Sequence, residues 1–290
     1  MITLFFRIRL LRILLHSTLV SLLICSTCAT ANTENHTINA GQPLILGVAP
    51  FMSPLALSKR MAPLRNYLTK RLNRQVIFET TIDAREYAKR SLEGRYDLLL
   101  TNPTFALVVL NKGNYALQLS QVRPLSGMLI VMKDSPITTI EQLAGKKIGA
   151  PPKIGFLGQL AEPYFKSQGL NNEKAATIIN FHSHNDAVSA LRLKTTDATF
   201  IASFMKTHLV KKGMQIRTIV STADFPGLCI LTNNRVPTIV SNTLNIALLE
   251  LGQSDEGKAL LKKISMPAFR TIEEQELDIV KPYLPTLVES

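Results

Sequence analysis

Short apolar runs alternate with amphipathic stretches along almost the whole chain beyond residue 43. LILGVA at 44–49, QVIFET at 75–80, YDLLLT at 96–101, GMLIVM at 127–132, KKIGA at 146–150, ATIINF at 176–181 and DATFI at 197–201 predict strands. They are short and rich in Leu, Ile and Val. Between them, stretches near 54–72, 83–93, 103–111, 157–168, 185–194 and 203–212 repeat apolar residues at helical spacing. From 238 to 287 the pattern is helical, with breaks near Gly252 and Pro267. Strand–helix–strand alternation with wholly apolar strands predicts an α/β fold of mostly parallel sheets flanked by helices.

At two places one strand follows another with no helix between. One is ALQLSQ at 115–120 before GMLIVM, and the other is IRTIV at 216–220 before GLCILT at 227–232. A two-lobe protein explains both, with the chain crossing into a second lobe and returning. The predicted organisation is a first lobe of residues 44–122 plus 227–290 and a second of 123–226. Residues 32–43 form a polar, flexible start. Pro124, Gly127, Pro226 and Gly227 mark the crossings, where hinge-like backbone is expected.

The first 31 residues read as a secretory signal peptide. Arg7, Arg9 and Arg12 supply the positive start, Ile13 to Ile24 the apolar stretch, and Ala29-Thr30-Ala31 the small-x-small cleavage pattern. An uncleaved anchor and lipid attachment at Cys25 or Cys28 are the alternatives. Cleavage after Ala31 places the chain in the periplasm and leaves Cys229 as its one cysteine, so no disulfide forms within the chain. Cys229 lies inside the apolar run Leu228–Leu231 and reads as a core thiol.

The net charge of +12 changes the picture only a little. Its Lys and Arg are scattered, there is no Trp, and aromatics make up 6% of the chain, so a nucleic-acid surface with clustered charge and stacking rings is not expected. His182, His184 and Asp186 alternate like metal ligands, but no second cluster completes a shell, and no metal or cofactor is expected. None of the motifs G-x-S-x-G, G-x-G-x-x-G, H-E-x-x-H or the P-loop occurs, which argues against an enzyme.

In open α/β sheets ligands sit beyond the carboxyl ends of the strands, against helix N-termini. Ser53-Pro54, Thr101-Asn102-Pro103, Gly155–Gly158 and Ser183-His184 all stand at such places. Helix starts present unpaired N–H groups and partial positive charge, and several around one cleft suit an anion.

LGVAPFMSP at 46–54, PLRNYLTKRL at 63–72 and GRYDLLLTNPTFAL at 94–107 carry a family resemblance, as do MKDSPITTIEQLAGKKIGAP at 132–151 and FHSHNDAVSALRLKTTDATF at 181–200. In order and spacing they resemble the phosphate/phosphite/phosphonate-binding periplasmic proteins that serve ABC transporters. The resemblance implies a type II periplasmic-binding fold whose cleft closes on a small ligand. It implies an aromatic at Phe51 and polar ligand contacts at Thr101, Asn102, Ser183 and His184, with Ser53 nearby. Phosphonate binders in this family typically carry a Ser-Thr-Ser-Gly turn where this chain has Gly155-Phe156-Leu157-Gly158. The hydroxyl donors are gone, and each unsatisfied group on a buried oxyanion costs about 1–3 kcal/mol. Backbone N–H groups and an apolar wall remain, so the expected ligand is a small anion with some apolar character. The implied partner is the membrane permease of an ABC transporter. A receptor kinase is the alternative partner, and an exported enzyme the remoter reading. The protein is expected to be monomeric.

Overall fold

The computed structural model describes residues 41–284 apart from 51, 154, 172 and 173. The signal-peptide segment, most of the polar start and Phe51 lie outside the described residues.

Strands form two mixed sheets. β1 (Leu44–Val48), β2 (Val76–Glu79), β3 (Leu98–Thr101), β4 (Tyr115–Gln121), β10 (Cys229–Asn233) and β11 (Phe269–Thr271) make a six-stranded sheet in the order β11-β4-β10-β3-β1-β2. β5 (Gly127–Met132), β6 (Lys147–Ala150), β7 (Thr177–Asn180), β8 (Ala198–Ala202) and β9 (Ile216–Ser221) make a five-stranded sheet in the order β7-β6-β8-β5-β9. β1 is parallel to β2 and β3, and β6 is parallel to β7 and β8.

The exceptions to parallel pairing have a physical cause. β5 enters its sheet from β4, and β10 enters from β9. Each arrives at the carboxyl ends of the parallel strands and must run back between them. β5 is therefore antiparallel to β8 and β9, and β10 to β3 and β4.

The two connecting segments pair with each other. Gln121 N–H donates to Leu228 O at 2.9 Å, Leu125 and Phe225 exchange backbone bonds of 2.9 and 2.8 Å, and Thr222 N–H donates to Gly127 O at 2.9 Å. Gly227 is required there, because a Cβ would stand 2.6 Å from Gln121 O and 2.7 Å from Arg123 O.

Helices cover the sheets by the spacing of their apolar residues. α1 (Pro54–Arg71) turns Leu57, Met61, Leu64 and Leu68 inward, one stripe at helical period. α2 (Ala84–Leu92), α3 (Pro103–Asn111), α4 (Phe156–Ser167), α5 (His184–Arg192) and α6 (Met205–Lys211) follow successive strands. The expected long C-terminal helical region divides into α7 (Thr238–Glu250) and α8 (Asp255–Lys263), then β11 and a 3-10 stretch at Glu274–Tyr283. β11 has three residues, too few for an alternation to show in the sequence. It pairs antiparallel with β4 at the sheet edge.

A continuous apolar cluster joins the inner faces, holding Leu99 and Phe105 with Phe156, Phe165, Phe200, Phe225, Leu277 and Val280. A second cluster fills the space between the six-stranded sheet and α1, α7 and α8.

The two sheets repeat one anchoring device. Asp97, 3% exposed, accepts Ile45 N–H at 2.7 Å while its own N–H donates to Ile45 O at 2.9 Å. Asp197 does the same to Lys147, at 2.8 and 2.9 Å. Asp97 alone adds a cation, with Arg235 Nε donating to it at 2.8 Å.

Candidate functional site

The carboxyl ends of β1, β3, β6 and β8 converge on a cavity of about 250 Å³ lined from both sheets. Ala49, Leu100, Thr101 and Asn102 come from the six-stranded side, and Pro151, Gly155–Gly158, His184, Ala202 and Phe204 from the five-stranded side. Gln121, Arg123, Leu125 and Leu228 close it along the connecting segments, and Arg60 with Ser265–Pro267 forms the remaining wall.

Asn102 caps α3. Its Oδ1 accepts Phe105 N–H at 2.9 Å and the Thr104 hydroxyl at 2.6 Å. The cap turns the helix start toward the cavity and leaves the side-chain NH₂ as the group able to address a ligand. Thr101, 1% exposed, forms the wall beside it. Burial pushes the nearby Tyr87 phenol up, with the Thr101 hydroxyl acting in the opposite sense.

Gly155 is the N-cap residue of α4, without a side-chain cap, and Phe156, Leu157 and Gly158 are its first turn. Their N–H groups have no acceptor one turn back inside the helix. The sequence pattern expected this helix from about 157, and it begins one residue earlier, at Phe156. Gly158 has no alternative, since a Cβ would lie 2.1 Å from Pro152 O. The ring of Phe156 packs edge-on against Phe225 at 5.2 Å, so it serves the apolar cluster as well as the wall.

His184 opens α5, half-buried, and burial holds its imidazole below its ordinary pKa. Its Nδ1 is buried and makes no hydrogen bond among the described residues. A neutral imidazole at a helix start can donate to an anion without bringing a full charge of its own.

Two sequence-predicted residues do not line the cavity. Ser183 spends its hydroxyl on the α5 cap, accepting Asp186 N–H at 3.1 Å and donating to Asp186 Oδ2 at 2.8 Å. Ser53 is the N-cap residue of α1 but makes no side-chain cap, because Pro54 at the first position already sets the helix start and removes a donor. Phe51 lies outside the described residues. Among the described residues no group of three or more His, Cys, Asp or Glu side chains could hold a metal ion.

Cys229 is fully buried in β10, with its thiol pushed up to about 12 by burial. A protonated buried thiol is a core side chain and a poor nucleophile.

Sequence reasoning missed Arg60, Arg123, Phe204 and the Ser265–Pro267 wall. Arg60 Nε and Nη2 donate to Ile264 O at 2.6 Å and Ser265 O at 2.8 Å, and so hold that wall in place. The contact joins residues 204 and 205 positions apart, which no local motif reports. The Arg123 guanidinium lies over the Phe204 ring, 5.3 Å from its centroid. Position was the available signal for Phe204, which follows β8 much as Asn102 follows β3. No carboxylate lines the cavity among the described residues, so its fixed charge is positive.

A family model described as ABC transporter, phosphonate, periplasmic substrate-binding protein matches residues 46–277. No curated protein matches the chain in sequence. Among solved structures, a Xanthomonas citri protein bound to ATP superposes with TM-score 0.74 at 17% identity, covering 85% of this chain and 98% of that one. PhnD1 from Prochlorococcus marinus in complex with methylphosphonate gives 0.68 at 15%, covering 83% and 97%. A binding protein component of an ABC phosphonate transporter from Pseudomonas aeruginosa gives 0.65 at 16%, covering 82% and 84%. At these identities the structural likeness speaks for the fold. The family match spans most of the chain, both sheets and all but the outer part of the C-terminal stretch, and the chain belongs to the phosphonate-type periplasmic substrate-binding family of ABC transporters.

Proposed function

We propose that the exported protein captures a small organic anion with an apolar portion in the inter-sheet cavity and delivers it to an ABC permease, without chemistry on the ligand. The carrying observation is the cavity's lining. Helix starts at Asn102, Gly155–Gly158 and His184 face it, two arginines border it, carboxylates are absent among its described walls, and most remaining walls are apolar. An amine would find no counter-ion there, and a small polar oxyanion would meet few hydroxyls. The working parts are a lobe of residues 44–122 plus 227–290 and a lobe of 123–226, closing on the ligand as a monomer.

A thermal-shift screen of the purified exported protein against inorganic phosphate, alkyl- and arylphosphonates, carboxylic acids and amines tests this. A ligand at ~100 times its Kd adds about 2.7 kcal/mol, a clear rise in Tm. Asn102→Ala and His184→Ala should each weaken binding and leave the fold intact. Unchanged affinity in both variants, or a preference for amines, defeats the proposal.

A further inference from the structure

Two arginines line the cavity, and they differ. Arg60 is occupied by the carbonyls of Ile264 and Ser265. Among the described residues the Arg123 side chain has neither ion pair nor hydrogen bond, and its guanidinium lies over the face of Phe204. Phe204 is itself 59% exposed, a large ring left at the cavity wall without core packing. The two come from different parts of the fold, Arg123 from the segment joining the sheets and Phe204 from the end of β8.

A cation held over a ring keeps its hydrogen-bonding capacity. The ring face accepts no conventional hydrogen bond, so the guanidinium N–H groups stay available for paired bonds to an acid group. At an exposed site the stack by itself is weak, so it positions the cation without consuming its charge.

We propose that Arg123, held by Phe204, is the specificity element of this cavity: it takes the acid group of an organic acid whose apolar body rests on Leu100, Leu157, Leu228 and Met266. This rests on the cavity being the ligand site. Recognition by a side-chain cation supplies what the Gly-Phe-Leu-Gly turn lacks in hydroxyls. It also requires a body to fill the apolar walls, so a bare oxyanion is a poor ligand and a neutral isostere is rejected.

Calorimetric titration of the purified exported protein decides it, with phenylphosphonate, benzoate and hexanoate as acids, benzyl alcohol as the neutral counterpart and inorganic phosphate as the bare anion. At least one acid binds at least ten-fold more tightly than benzyl alcohol and phosphate. Arg123→Gln lowers that affinity about 10- to 100-fold, the loss of a charge-assisted contact. Arg123→Lys recovers part of it, Phe204→Ala costs a few-fold, and the salt dependence seen in the parent flattens in Arg123→Gln. Both positions are exposed, so melting of the unliganded variants stays at the parent value. If Arg123→Gln binds the acid as the parent does while Asn102→Ala loses it, the cavity stands and the assignment of Arg123 falls. If neither variant changes affinity, the cavity itself is the wrong site. Binding of no acid, or tighter binding of phosphate, overturns the ligand class.

Discussion

Replacing Gly158 with alanine sets two physical effects against each other. Gly158 lies in the first turn of α4, and on helix propensity alone the added methyl stabilises by about 1 kcal/mol. Its surroundings say otherwise. The new Cβ would stand 2.1 Å from Pro152 O, 2.6 Å from Pro152 C and 2.8 Å from Pro151 O. All three atoms are backbone, in a stretch stiffened by two consecutive prolines, so no side chain can rotate out of the way. Relief requires α4 to shift by about 1 Å, and overpacking of this kind costs about 1–3 kcal/mol and occasionally more. A 2.1 Å approach to backbone belongs at the upper end of that range. The net expectation is a loss of about 1–3 kcal/mol, a fall in Tm of about 2–10 °C for a chain of this size. Because the shift moves the first-turn N–H groups that face the cavity, ligand affinity falls by more than the stability loss explains. Urea unfolding gives the first quantity and calorimetric titration the second. A Gly158→Ala protein more stable than the parent refutes the argument that this glycine is dictated by the Pro-Pro turn.

Two further predictions concern groups described above. Asp97→Ala leaves Arg235 Nε and the Ile45 N–H without their carboxylate; Arg235 is partly exposed and keeps the Gly94 and Arg95 carbonyls, so the expected cost is about 1.5–3 kcal/mol. Asp197→Ala, which removes the same backbone contact without a cation, should cost about 0.5–1.5 kcal/mol, and equal losses in urea unfolding would contradict the ranking. His184 has a folded pKa below its ordinary value because burial resists its charge. Below about pH 6.5 the unfolded chain therefore takes up a proton that the folded one resists, so stability falls with pH there and is unaffected above it. Between about pH 7.5 and 5.5 the parent should lose more stability than His184→Gln, and parallel losses would remove the effect.

The sequence carried the alternation of strands and helices because each central strand is apolar on both faces and each helix carries one stripe. It also carried the helix starts at Asn102 and His184, since caps are local chemistry. What escaped it was whatever depends on distance in space. Arg60 reaches the turn after α8 from α1, and its role is set by carbonyls that no motif marks. Phe204 reads in the sequence as an ordinary apolar residue, and only its exposure at the end of β8 gives it meaning. β11 escaped because three residues cannot show a period, and its place was decided by the free edge of β4. Ser53 misled for the opposite reason, since a good cap residue stands beside a proline that makes the cap redundant.

The paired segments between the sheets have the construction of a leaf spring. Bending their ribbon out of plane keeps the backbone bonds between Gln121 and Leu228, between Leu125 and Phe225 and between Thr222 and Gly127, while sliding one strand along the other breaks them all. Those bonds resist shear and stretch and leave out-of-plane bending free. Gly227, tight against two carbonyls of the facing strand, keeps the leaves in contact. Arg123 lies on that ribbon while Phe204 follows a strand of the five-stranded sheet, so on the proposed closing reading any flexure of the ribbon acts directly on the distance between cation and ring.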